Sequence, residues 1–246
     1  MTPSSPFAPD AVERIVFPAA DGYALGGYVW HGAAEPGRPR PVAIINAATS
    51  VRCRYYARFA HWLHQHGWDV VTFDYRGIGE SRHGSLRKLD ADWIDWGELD
   101  VEGALRYVIE RFPGQPIDVI GHSAGGFVVG LAASARQIRR IFTVGAQYAY
   151  WRDYSPHVRK VMFLRWHVAM PLLAWMLGYV PAKRLGWMED TPKGVALDWA
   201  TMGPRFEHTV RRRRGRGLGP GRDTAQRNSA AAELASPLRH VTAPIL

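Results

Sequence analysis

Short apolar runs alternate along this chain with longer stretches in which apolar residues recur every three or four positions. Val12 to Pro18 and Tyr23 to Trp30 are β-branched and aromatic, and the Asp21-Gly22 pair between them signals a hairpin turn. Val42 to Ile45, Asp69 to Phe73, Ile117 to Ile120 and Ile138 to Val144 follow as short, mainly apolar runs, the composition of strands covered on both faces. Between them lie helical patterns. Arg54 to His66 sets Tyr55, Phe59, Trp62 and Leu63 at helical spacing, with Gly67 as the C-terminal cap. Trp96 to Phe112 turns Leu99, Ala104, Leu105, Val108 and Ile109 inward and ends at Pro113-Gly114, and Phe127 to Ala135 reads as another helix. A hairpin followed by strand–helix alternation predicts an α/β fold: a mostly parallel central sheet with helices on both faces.

The pattern changes after about residue 147. Residues 1–147 form the expected core. Residues 148–206 are rich in Trp and Tyr, hold several prolines and show no clear buried strand, which predicts a helical cap inserted over the carboxyl edge of the sheet. Residues 207–238 are an Arg/Gly/Ala-rich stretch expected to be a poorly ordered loop, and residues 239–246 read as the start of a further core strand.

Charge and composition narrow the function classes. The chain has 246 residues and a formal net charge of +9. Seven arginines between Arg211 and Asn228 stand against the single acid Asp223, so six of those nine charges sit in one local run. That run lacks interleaved aromatics, which argues against specific nucleic-acid recognition. The single cysteine, Cys53, excludes an internal disulfide framework and a multi-cysteine metal site. No secretory signal pattern opens the chain, and the expected location is cytoplasmic. Val161 to Val180 is the most apolar stretch, but Arg165, His167 and Pro171 interrupt it, so no membrane span is expected. No cofactor is called for. His61 and His64 share a helix face, yet two histidines at that spacing without an acidic third ligand make a poor metal site.

The candidate chemistry lies at Gly121-His122-Ser123-Ala124-Gly125-Gly126. An apolar strand leads in and a helical pattern leads out, the setting of a nucleophile elbow, in which a serine projects from a sharp strand-to-helix turn. The elbow glycines Gly121 and Gly125 remove side-chain clashes that so tight a turn would create. An acyl-transfer site also requires two N–H donors where negative charge develops. The residue after the serine, Ala124, supplies one. The second is expected from the loop after Val42 to Ile45, at Ala48 with Ala47 next in line. His122 is read as a packing residue and Asp74 as a residue that fixes its own turn.

With these motifs in place the chain resembles the α/β-hydrolase superfamily, and within it the serine aminopeptidase and monoacylglycerol-lipase-like branch of bacterial hydrolases. The resemblance rests on Asp74-Tyr75-Arg76-Gly77-Ile78-Gly79-Glu80-Ser81 and Gly121 to Gly126, with Asp95 to Asp100 and Gly145 to Arg152 in support. Asn46-Ala47-Ala48 stands where many relatives have His-Gly-x, a departure at the oxyanion loop. The resemblance implies a catalytic acid and then a histidine on loops after the last two strands. Those positions are expected beyond the strand starting near Val241, and the sequence given ends at Leu246; His208 and His240 do not occupy such loops. The reading is a serine hydrolase of esters or related small acyl substrates, with Ser123 as nucleophile and activity impaired in this chain. The alternative is a non-catalytic binding or scaffold protein on a degenerate hydrolase fold. Trp151, Trp166, Trp175 and Trp187 suggest an apolar acyl or aromatic substrate group; oligomeric state is not legible.

Overall fold

A computed structural model describes residues 12–32, 40–146 and 150–203. The hairpin forms as the turn signal requires: β1 (Glu13–Pro18) pairs antiparallel with β2 (Ala24–Trp30). β3 (Val42–Asn46) and β4 (Asp69–Phe73) bury all five of their residues. Each fully covered Val or Ile there contributes about 1.5–3 kcal/mol of apolar burial. β5 (Ile117–His122) and β6 (Ile138–Val144) complete a six-stranded sheet in the order β1-β2-β4-β3-β5-β6. β2 pairs antiparallel with β4, and the β4–β3, β3–β5 and β5–β6 pairs are parallel. The protein has the α/β-hydrolase fold class: a mixed, mostly parallel sheet with helices packed on it.

The helices refine the sequence pattern. A 3₁₀ turn (Cys53–Tyr56) leads into α1 (Ala57–Gln65), and Gly67 follows with the positive φ expected of it. The buried face of α1 is Ala57, Ala60 and Leu63, while Tyr55, Phe59 and Trp62 face outward. Of the four bulky positions at helical spacing, only Leu63 enters the core, because the small alanines let the helix lie close to the sheet. The next helix starts earlier than expected, as α2 (Trp93–Asp95) capped by Asp92. It passes through a π-helical turn (Trp96–Val101) and continues as α3 (Glu102–Arg111). Gly97 sits where an added Cβ would press on Val128 O and Leu131, so the wide turn lies at a close approach of backbones. The extra residue in that turn shifts the helical phase, leaving Leu99 half-buried and Ile109 exposed.

The expected helix over Phe127 to Ala135 is replaced by shorter pieces. α4 (Ala124–Val128) lasts five residues, then gives way to 3₁₀ turns at Val129–Leu131 and Ala133–Gln137. The β-branched pair Val128-Val129 followed by Gly130 has poor helix propensity, which accounts for the break.

Residues 151–200 build a separate small core. α5 (Pro156–Phe163), a π-helical turn (Leu164–Ala169) and α6 (Met170–Leu177) run on as one helix, ending at Gly178 in the left-handed conformation. Two antiparallel strands of two residues each, β7 (Tyr179–Val180) and β8 (Thr191–Pro192), precede α7 (Lys193–Ala200). Trp166, Met170, Ala174, Val180, Ala182 and Ala196 form its buried cluster. The arginine run, the expected loop at 207–238, the last strand at 239–246, His208 and His240 lie outside the described residues.

Candidate active site

Ser123 stands between the end of β5 and the start of α4 with φ 51° and ψ −119°. A non-glycine residue with positive φ is a costly conformation, and in the described residues only Ser50 shares it. Two hydrogen bonds hold the bend. Ser123 N donates to Val144 O at 2.9 Å, and Gly126 N donates to Ser123 O at 3.0 Å. The elbow glycines are required by contact. A Cβ on Gly121 would strike the backbone of Gly126, and one on Gly125 would strike the carbonyl oxygens of Asn46 and Ala47. The turn after the serine therefore lies directly against the loop after β3. Asn46 Nδ2 adds a bond to Gly125 O at 3.3 Å.

The loop after β3 carries a polar arrangement that sequence spacing did not reveal. Ala48 N–H, expected to face a developing oxyanion, instead donates to Tyr56 Oη at 2.9 Å. The same hydroxyl lies 2.8 Å from His122 Nδ1. Ala48 is thus not a free donor, since the phenol occupies its acceptor position. His122 is a partner of Tyr56. Burial pushes the Tyr56 hydroxyl up to about 12, against the opposing pull of the Ala48 N–H, so the phenol is neutral at physiological pH. Ser123 is half-buried, and among the described residues no hydrogen bond reaches its Oγ.

Asp74 fixes its own turn. Its Oδ1 accepts Cys53 N at 2.6 Å and its Oδ2 accepts Glu80 N at 2.8 Å, while Ser81 Oγ donates to Asp74 O at 2.5 Å. Burial raises the carboxyl and these N–H donors draw it back down. Two residues on, Arg76 is clamped between Asp100 and Asp21: its Nε donates to Asp100 Oδ1 at 2.7 Å, and its two terminal nitrogens reach Asp21 at 2.8 Å each. Cys53 is fully buried with its thiol pushed up by that burial, so it offers no nucleophile. His66 stacks on Trp62, and His64 sits beside Arg40. Among the described residues no group of three His, Cys, Asp or Glu is arranged to hold a metal.

The helical segment 151–200 is tied to the same loop. Ser50 Oγ lies 2.8 Å from Thr191 Oγ1, Glu189 N donates to Ser50 O at 3.0 Å, and Arg52 pairs with Glu189 at 2.8 Å. Of the tryptophans singled out from sequence, Trp166 packs inside the segment against Trp199 and Tyr154. Trp187 lies under Arg165, and Trp175 faces solvent beneath Lys193.

The sheet order and the bend at Ser123 are those of the α/β-hydrolase fold. A family profile described as serine aminopeptidase, S33, matches residues 38–204, more than half of the chain. The chain belongs to that family. Among solved structures, a hypothetical protein from Pseudomonas aeruginosa superposes with a TM-score of 0.57 at 14% identity, covering 83% of this chain and 76% of that one. A soluble variant of monoglyceride lipase from Saccharomyces cerevisiae, in complex with a substrate analogue, gives 0.52 at 20% identity over 72% of this chain and 55% of that one. A serine hydrolase without a lid from Xanthomonas campestris gives 0.45 at 23% identity over 57% of this chain. The chain spans 64% of the Xanthomonas protein and 55% of the yeast lipase. No curated protein matches the sequence.

Proposed function

We propose that this protein is a serine hydrolase that opens an ester or related acyl bond through an acyl-enzyme at Ser123. The observation that carries the reading is the backbone of Ser123 itself, held at φ 51° by bonds to Val144 and Gly126. Strain of this kind persists only where the surroundings impose it, and it lifts a side chain off the sheet edge. In the reaction Ser123 Oγ attacks the acyl carbon and its proton leaves through a general base. The leaving alcohol departs protonated, and water then releases the acid. None of the described histidines is hydrogen-bonded to Ser123 Oγ, so the reading takes its base from outside them.

The developing oxyanion is stabilised by the Ala124 N–H and by the Ala48–Tyr56 pair, where the substrate oxygen takes the place of the phenol on the Ala48 amide. A donor at such a position lowers the barrier by about 3 kcal/mol. The segment 151–200 acts as a cap over this edge, a reading supported by its bonds to Ser50 and Arg52. The yeast monoglyceride lipase among the structural relatives favours an ester substrate.

Hydrolysis of p-nitrophenyl esters of graded acyl length tests the proposal. Turnover that falls at least 10⁴-fold in Ser123→Ala supports it. Turnover unchanged by that substitution rejects it and leaves a binding protein on a hydrolase fold.

A further inference from the structure

Three consecutive residues of the segment 151–200 fasten to the core, and two of them grip the loop after β3. Glu189 N donates to Ser50 O at 3.0 Å, and the Glu189 carboxylate pairs with Arg52 at 2.8 Å. Asp190 reaches Arg82, in the loop after β4, at 3.1 Å. Thr191 Oγ1 donates to Glu189 O at 3.2 Å, so at the 2.8 Å contact between the two hydroxyls Ser50 is the donor. Ser50 and Thr191 are buried, which keeps water from replacing either partner. β7 backs the strip, with Val180 opposite Thr191.

The residue so gripped is strained. Ser50 has φ 55°, in the left-handed region, and a serine stays there only where its neighbours impose it. It is the third residue of a tight turn closed by Val51 N donating to Ala48 O at 3.1 Å, a position that favours glycine when φ is positive. The first residue of that turn is Ala48, whose N–H the proposed reaction offers to the oxyanion. Just before it, the carbonyls of Asn46 and Ala47 lie against Gly125 of the elbow. Release of Ser50 into the ordinary negative-φ region would reshape the turn and shift the Ala48 amide relative to Ser123.

We infer that Thr191 and Glu189 are positioning residues for the oxyanion loop, so that the segment 151–200 sets the rate of the reaction as well as covering the site. The inference rests on the serine hydrolase reading of Ser123 and deepens it: the Ala48 amide is in place only while the strip 189–191 is seated. A residue that holds a donor for the transition state acts on kcat rather than on substrate binding.

Steady-state hydrolysis of p-nitrophenyl acetate, an ester with a short acyl group, tests it. Thr191→Val keeps the shape of the side chain and removes its hydroxyl; the expected result is a kcat about tenfold lower, with KM within about twofold of wild type. Adding Ser50→Gly gives the turn a residue that takes φ 55° without strain, and kcat should return to within about threefold of wild type. Glu189→Gln, which weakens the pair with Arg52, should lower kcat about threefold and serves if Thr191→Val does not fold. Circular dichroism shows which variants are folded. A loss carried by KM alone, an unchanged kcat in the folded single variants, or a loss that Ser50→Gly leaves in place overturns the inference while the Ser123 reading stands. A wild type without Ser123-dependent turnover removes that reading, and the inference with it.

Discussion

The hydroxyl of Tyr56 accepts the backbone N–H of Ala48 at 2.9 Å and reaches His122 on its other side. One phenol thus ties the loop after β3 to the residue immediately before the nucleophile. Ala48 is buried, and a buried N–H that loses its acceptor costs about 1–3 kcal/mol. Tyr56→Phe should therefore lower stability by that amount, read as a shift in the denaturant midpoint at unchanged slope. An unaltered midpoint would mean that the amide finds another acceptor.

The bend at Ser123 predicts a second stability effect, separable from catalysis. Its backbone strain costs about 1–3 kcal/mol in a residue with a Cβ. Glycine relieves that strain but carries about 1 kcal/mol of added chain entropy in the unfolded state. Ser123→Gly should then be more stable than Ser123→Ala by about 1 kcal/mol, since alanine keeps the Cβ and the strain. Thermal unfolding of the two variants side by side makes the comparison. Equal midpoints would remove the strained elbow from the account.

Acid sensitivity should trace to Arg76. The Arg76 guanidinium, by hydrogen bonding, holds the Asp21 carboxyl below the ordinary aspartate range. A carboxylate whose folded value lies below its unfolded one stabilises fully above about pH 4 and loses that contribution as pH falls through the folded value. Wild type should lose stability on acidification below that point more steeply than Asp21→Asn. Parallel curves for the two proteins would contradict this.

Much of the core was legible because buried parallel strands read as short apolar runs: β4 and β6 fall on the expected residues, and β3 and β5 extend one and two residues further. The elbow was legible because strand, Gly-x-Ser-x-Gly and helix signal stand in series. Local pattern misled where packing decided. Alanines rather than aromatics face the sheet on α1, and a π-helical turn altered the phase ahead of Ile109. The Tyr56–Ala48–His122 contacts join positions eight and 66 residues apart, a separation that leaves no periodic trace in the sequence. The exposure of Leu164, Leu172, Trp175 and Met176 on 156–177 leaves no sequence trace for a related reason. An apolar helix reads as buried until its neighbours are known.

The central claim, that Ser123 is the nucleophile, is tested most directly by a fluorophosphonate probe followed by peptide mass mapping. The account predicts a phosphonyl adduct on the peptide bearing Ser123, absent from Ser123→Ala. An adduct that persists in Ser123→Ala at the wild-type level would contradict it.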